Sequence, residues 1–199
     1  GGVVVWIVGD ATIKGSETGT SFKQALFSKS IGFNLHDTMI WEKPTPMPQF
    51  KSQRYTNAFE YIFVFSKGPA TTFNPIMKKC KRAGKVTSKT KHANNWRVDR
   101  HSTGHNLPPV KDEKKQTNVW NISSKSNKTG HPATFPEVLA SDNIVTWSNE
   151  GDVVLDPFMG SGTTGVACKN LNRNFIGIEL DDTYFNIAKD RINAADFNG

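Results

Sequence analysis

Val3-Val4-Val5-Trp6-Ile7-Val8 is an unbroken apolar run, largely β-branched, that stops at Gly9-Asp10. Such a run predicts a strand buried on both faces, as in a parallel sheet. Phe22, Ala25, Leu26 and Phe27 recur at helical spacing with polar residues between them, which predicts a helix over 21–31. Thr38-Met39-Ile40-Trp41 reads as a second strand, followed by an extended loop through Pro44, Pro46 and Pro48. Tyr61-Ile62-Phe63-Val64-Phe65 reads as a third, closed by Lys67-Gly68-Pro69, with Tyr61, Phe63 and Phe65 alternating as one core face. Periodicity then fades until Pro136-Glu137-Val138-Leu139-Ala140, a helix with a proline start. Asp152–Leu155 is a strand, 163–171 a helix and Phe175–Ile178 a strand. Asp181 or Asp182 caps a final helix with Tyr184, Ala188, Ile192 and Ala195 on one face. This alternation predicts an α/β protein built from βαβ units with right-handed crossovers.

The length, 199 residues, suits one domain or one domain with a large insertion, and a hydrophobic content of 36% excludes a wholly disordered chain. Two cysteines, Cys80 and Cys168, exclude a disulfide scaffold and point to a reducing, intracellular setting. No apolar run approaches the roughly 20 residues that span a bilayer, and no signal-like leader opens the chain. Because the first residue is Gly1 and an apolar segment follows at once, a fragment lacking its N-terminal part is expected.

Charge changes the picture more. The net charge is +7, yet residues 67–130 carry fifteen Lys and Arg against Asp99, Asp112 and Glu113, and everything outside that stretch is net acidic. Such a middle suits a polyanion, nucleic acid first, with Lys78, Lys79, Lys81, Arg82 and Lys85 as its densest cluster. A solvated lysine-rich loop is the competing reading. Trp96, Trp120 and Phe73 either stack on bases or form a small core there, and Lys51 and Arg54 either contact phosphate or are solvated. His101 and His105, with Cys80 or His92, have a metal-like spacing, but Gly104 and nearby prolines argue against the helix it needs, so no metal is expected.

The most specific signal is Leu155-Asp156-Pro157-Phe158-Met159-Gly160-Ser161-Gly162-Thr163-Thr164-Gly165. A strand ends, small residues turn the chain, and a helix begins whose first N–H groups are free for a ligand. Glu179 lies 19 residues beyond Gly160 at the end of the next strand, where an acid can accept ribose hydroxyls. The glycine spacing also matches a dinucleotide fingerprint. Asp156 argues against that, because a carboxylate repels a diphosphate and attracts the sulfonium of S-adenosylmethionine.

These residues, with Phe175-Ile176-Gly177-Ile178-Glu179, Tyr184 and Arg191-Ile192, resemble the amino-group DNA methyltransferases, which modify adenine N6 or cytosine N4. Asn118-Val119-Trp120, 131–139 (His-Pro-Ala-Thr-Phe-Pro-Glu-Val-Leu), Val5–Asp10, Ile40–Pro44 and Glu60–Phe65 fit the same family in the same order. The resemblance implies a Rossmann-like, S-adenosylmethionine-dependent sheet, incomplete at its N-terminus and carrying a basic inserted segment. Residues 1–66 would be part of the catalytic half, 67–130 the target-recognition segment and 131–199 the cofactor-binding half. Asp156, Pro157, Phe158, Gly160, Ser161 and Gly162 would line the cofactor, Thr163 and Thr164 would open the helix below it, Glu179 would hold the ribose, and Phe135 and Pro136 would cover the methionine part. Double-stranded DNA is the implied partner, in the cytoplasm of a bacterium, an archaeon or a phage-infected host. A homodimer and a restriction endonuclease counterpart are compatible with it.

One departure matters. The family's catalytic tetrapeptide is Asp, Asn or Ser, then Pro-Pro, then an aromatic residue. The only Pro-Pro here is Leu107-Pro108-Pro109-Val110, with neither flank, so no catalytic residue is assigned within this chain. The tetrapeptide is expected before Val3, in a portion that also supplies a central strand, which leaves a gap in the sheet and little or no activity for the chain alone. A catalytically silent DNA-binding module and a nicotinamide-dependent oxidoreductase are the alternatives.

Overall fold

The computed structural model describes residues 1–48, 53–85, 109–124 and 135–195. In chain order the elements are β1 (Val3–Val8), β2 (Thr12–Ile13), β3 (Ser16–Glu17), α1 (Thr20–Ser30), β4 (Asn34–Glu42), β5 (Phe59–Ser66), β6 (Met77–Lys79), β7 (Glu113–Lys115), β8 (Val119–Asn121), α2 (Glu137–Trp147), β9 (Val153–Asp156), α3 (Thr163–Asn170), β10 (Asn174–Gly177) and α4 (Asp182–Ala194). They form two compact units, Gly1–Asn74 with Thr117–Gly199, and Pro75–Gln116.

The larger unit holds a four-stranded sheet in the order β1-β5-β4-β8. Strand β5 runs antiparallel to both neighbours, and β4 is parallel to β8. Strand β5 is the most buried strand of this sheet: Ile62 and Val64 are fully enclosed. Burying each such side chain stabilises by about 1.5–3 kcal/mol. Strand β1 departs from the expected burial on both faces in a parallel sheet. It pairs antiparallel with β5, and Val4 is 42% exposed rather than buried on both faces. An apolar run reports burial tendency but carries no information on strand direction.

Helix α1 forms as expected, with a different face inward. Ser21 and Ala25 are buried, whereas Phe22, Leu26 and Phe27 are exposed. Ala25 is small enough to lie against Phe63 and Phe65, and Asp10 accepts hydrogen bonds from both the backbone and the hydroxyl of Ser21. Polar anchoring and close approach therefore override the larger apolar stripe.

The expected βαβ unit is present as β9-α3-β10, two parallel strands in register from Val153↔Asn174 to Asp156↔Gly177. Ala140 and Ile144 of α2 pack on Ala167 and Cys168 of α3, with Phe135, Val154 and Phe175 closing the cluster. Among the described residues the two sheets share no ladder: β1 is paired only by β5, and β9 only by β10. Trp6 of β1 nevertheless meets Phe158, just past β9, edge to face at 6.4 Å between ring centroids. Strand β8 lies inside the basic stretch of the sequence yet belongs to the main sheet, where Trp120 is 4% exposed.

The smaller unit is an antiparallel ribbon. Met77, Lys78 and Lys79 of β6 face Lys115, Lys114 and Glu113 of β7. Backbone bonds Gln116–Ile76 (2.8 Å), Cys80–Asp112 (2.7 Å) and Gly84–Val110 (3.0 Å) extend it at both ends. Among the described residues no helix is long and apolar enough to cross a membrane.

Candidate cofactor site

Strand β9 delivers Asp156 to the start of the glycine turn. One carboxylate oxygen accepts the Phe158 N–H at 3.0 Å and the other accepts the Thr164 hydroxyl at 2.6 Å. The acid therefore ties the strand end to the first turn of α3. Gly162 stands at the helix start in the left-handed region, φ 81°, and its carbonyl takes the Val166 N–H at 3.0 Å. A Cβ at Gly162 would lie 2.8 Å from the Cβ of Ala188. One at Gly165 would collide with Ile192 and Phe175, and one at Gly177 with Met159. These glycines let α3, α4 and the turn approach as closely as backbone allows.

Glu179 closes the site from the end of β10. Its carboxylate accepts N–H groups from Gly160 (2.9 Å), Leu180 (2.9 Å) and Asp181 (3.0 Å). The backbone bond from Asp181, then those from Gly160 and Leu180, hold its carboxyl below the ordinary value of 4.5. The charged form is thus the one that clasps the turn. Because the folded value is lowered, this contribution is complete above pH 4.5 and fades as pH falls through the depressed value. Ligand affinity of the full-length protein is accordingly expected to drop on acidification, and Glu179→Gln to flatten that profile in a pH series of binding titrations.

Ser161 and Thr163 are buried, and Arg191 of α4 donates to both the carbonyl and the hydroxyl of Ser161. Arg191 belongs to the resemblance, but its bracing role is not legible in the sequence, since the bond spans thirty positions. Pro157 is exposed, and Phe158 is 74% exposed. Pro136 forms the N-cap of α2 and Phe135 packs against its cluster. Leu180, 97% exposed beside Glu179, is an apolar ledge that the pattern did not single out.

Cys168 is a core residue, as its helical position suggested. Burial, with a smaller contribution from Asp156, pushes its thiol up to about 12, against an opposing effect of Arg173. It is no nucleophile at neutral pH. A thiol reagent should label Cys80 in the native protein and reach Cys168 only on denaturation, as mass spectrometry of the two peptides would show.

In the ribbon, Lys78, Lys79, Lys81, Arg82 and Lys85 are all exposed. Lys114 and Lys115, which the sequence reading passed over, come beside them because β7 pairs with β6. Arg54 donates to the Gly15 carbonyl and the Glu17 carboxylate. Phe73 meets the Trp147 ring at 5.2 Å, so Phe73 and Trp120 both serve the fold. Lys51, His92, Trp96, His101, His105, Pro108 and residues 131–134 lie outside the described residues.

The model of a family described as DNA methylase, of the N6/N4 type, matches residues 1–190. The orphan methyltransferase M.BamHII of Bacillus amyloliquefaciens is 46% identical over 202 residues, covering 96% of this chain and 75% of that protein. The type II methyltransferase M.SmaI of Serratia marcescens is 33% identical over 174 residues, covering 87% of this chain and 51% of that protein. The chain thus spans about half the length of M.SmaI and of two further curated relatives. The crystal structure of an M1.HpyAVI–SAM complex superposes with a TM-score of 0.60 at 31% identity, covering 95% of this chain and 74% of that one. The cytosine-N4-specific PvuII DNA methyltransferase, at 22% identity, shares the fold with a TM-score of 0.69, covering all of this chain and 65% of its own. This chain belongs to the N6/N4 DNA methylase family.

Proposed function

We propose that the protein transfers a methyl group from S-adenosylmethionine to the exocyclic amino group of adenine (N6) or cytosine (N4) in double-stranded DNA. One observation carries the choice of cofactor: two of the turn's N–H groups are already given to carboxylates. Gly160 donates to Glu179 and Phe158 to Asp156, where a dinucleotide site would aim such groups at a diphosphate. A rim with two acidic side chains repels phosphate and suits a cation, which disfavours the oxidoreductase reading.

The residues present fit such a cofactor. Glu179 uses three of about four acceptor directions on its carboxylate, leaving one for a ribose hydroxyl. Leu180 offers apolar surface to a purine, while Phe158, Ser161 and Gly162 shape the turn; Phe135, packed on the α2–α3 cluster, and Pro136, the N-cap of α2, would cover the methionine part. When bound, the sulfonium supplies an electrophilic methyl group. Asp156 would supply negative charge that attracts it, and the Thr164 hydroxyl donates to that carboxylate. The amino group of a base is a weak nucleophile, because its lone pair is spread into the ring. It needs two hydrogen-bond acceptors to localise that pair, and no residue of this chain is assigned to them.

The DNA contact falls on the ribbon. Lys78 and Lys114 are direct cross-strand partners, and like charges so placed are unfavourable until an anion lies over them. Lys79, Lys81, Arg82 and Lys85 extend the same basic surface. Changing Lys78 and Lys114 together to Ala should lower the salt dependence of DNA binding by about 1.8 in log–log slope, about 0.9 per lost phosphate contact. An unaltered slope would place the phosphates elsewhere.

The reading sets the protein in the cytoplasm beside its DNA and admits a homodimer and a restriction endonuclease counterpart as protein partners. It is tested by incubating the full-length protein with methyl-labelled donor and DNA and identifying the labelled nucleoside. Label in N6-methyladenine or N4-methylcytosine supports it, and unlabelled DNA that still binds supports a silent binding module.

A further inference from the structure

Between β1 and α1 the chain builds a small hairpin. Thr12↔Glu17 and Ile13↔Ser16 pair antiparallel around Lys14-Gly15. Both tip residues are left-handed, with φ 49° at Lys14 and 78° at Gly15. A tip with two positive φ values belongs to the tight turn whose twist matches the strands, and it favours Asn or Gly where Lys14 stands. A lysine held there against preference indicates a surrounding structure that fixes it.

That support is visible at both ends. At the base, Thr18 N–H bonds the Ala11 carbonyl at 2.9 Å, and Asp10 accepts from the Thr18 hydroxyl at 3.2 Å and from Ser21 N–H at 3.1 Å. At the tip, Arg54 donates to Gly15 and Glu17. The braced hairpin presents Ile13, 60% exposed, and the exposed Lys14. It also follows directly on β1 in the chain. Trp6 touches Phe158, and Thr12 follows Trp6 by six residues, at most about 20 Å of extended chain.

Methylating a base inside a duplex requires the base to leave the stack, and the hole it leaves is unfavourable unless filled. Proteins that open base steps do so with a stiff apolar side chain such as Ile, flanked by cations on the phosphates. We propose that the 12–17 hairpin is a wedge that enters the duplex beside the target base, with Ile13 occupying the vacated stack and Lys14 lying on the adjoining phosphate. This rests on the DNA-methylation reading and adds a residue to it that touches the substrate.

The test compares full-length wild type with Ile13→Ala and Ile13→Leu in single-turnover methylation. One duplex has the target base paired, and a second has it opposite an abasic site and already loose. Ile13→Ala should lose about tenfold or more on the paired duplex and stay within about twofold on the abasic one, since only the former needs the stack opened. Ile13→Leu should retain most of the rate, and the fluorescence of 2-aminopurine at the target position should fall only for Ile13→Ala. Equal losses on both duplexes, or no loss on either, overturn the wedge alone. A wild-type protein that methylates neither duplex overturns the methylation reading and the wedge with it.

Discussion

Gly162→Ala should destabilise the protein by about 2–5 kcal/mol, enough to remove a large part of an ordinary domain's stability of about 5–15 kcal/mol. Two costs add. At φ 81° an L-residue pays about 1–2 kcal/mol for its Cβ against the following carbonyl. The new Cβ also lies 2.8 Å from the Cβ and 2.9 Å from the Cα of Ala188, so α4 must retreat. Forcing a methyl group into a packed contact of this kind costs about 1–3 kcal/mol. Gly151→Ala is the control: its φ is 82°, but nothing lies within 4 Å of the added atom. It should therefore show the backbone cost alone. Guanidinium unfolding of the two variants separates the terms, and equal midpoints would mean that the α3–α4 contact contributes little.

Asp156→Asn should weaken binding of S-adenosylmethionine by about tenfold while leaving S-adenosylhomocysteine within about twofold of wild type, since only the former carries a charge for the carboxylate to attract. The substitution is almost isosteric. The amide oxygen can still accept the Phe158 N–H, and the Thr164 hydroxyl can turn to accept from the amide nitrogen. The fold is thus expected to survive, and the ratio of the two affinities reports charge rather than shape. Parallel losses for both ligands would assign Asp156 to holding the turn.

What could be read from the chain was what is local. The glycine turn, its two carboxylates and the Asp181 cap of α4 are set within a few residues of each other or of a strand end, and the structure places them as expected. Strand β5 was legible because a strand enclosed by neighbours needs an apolar residue at almost every position. The inward face of α1 was not, since it is chosen by Asp10 and by the room available over Phe63, neither of which periodicity records. Strands β6, β7 and β8 are three residues each and exist through their partners. Lys114 could not be matched with Lys78 before the ribbon register was known. The donors to Glu179 were hidden for the same reason: a sequence shows an acid after a strand, while the structure shows which N–H groups it has already taken.

We infer that two carboxylates make the turn after β9 a seat for a cationic methyl donor. Titration calorimetry of the full-length protein with S-adenosylmethionine and, separately, with NAD tests it most directly. Heat of binding with the first and none with the second is the expected result; saturable binding of NAD, or silence with the methyl donor, contradicts it.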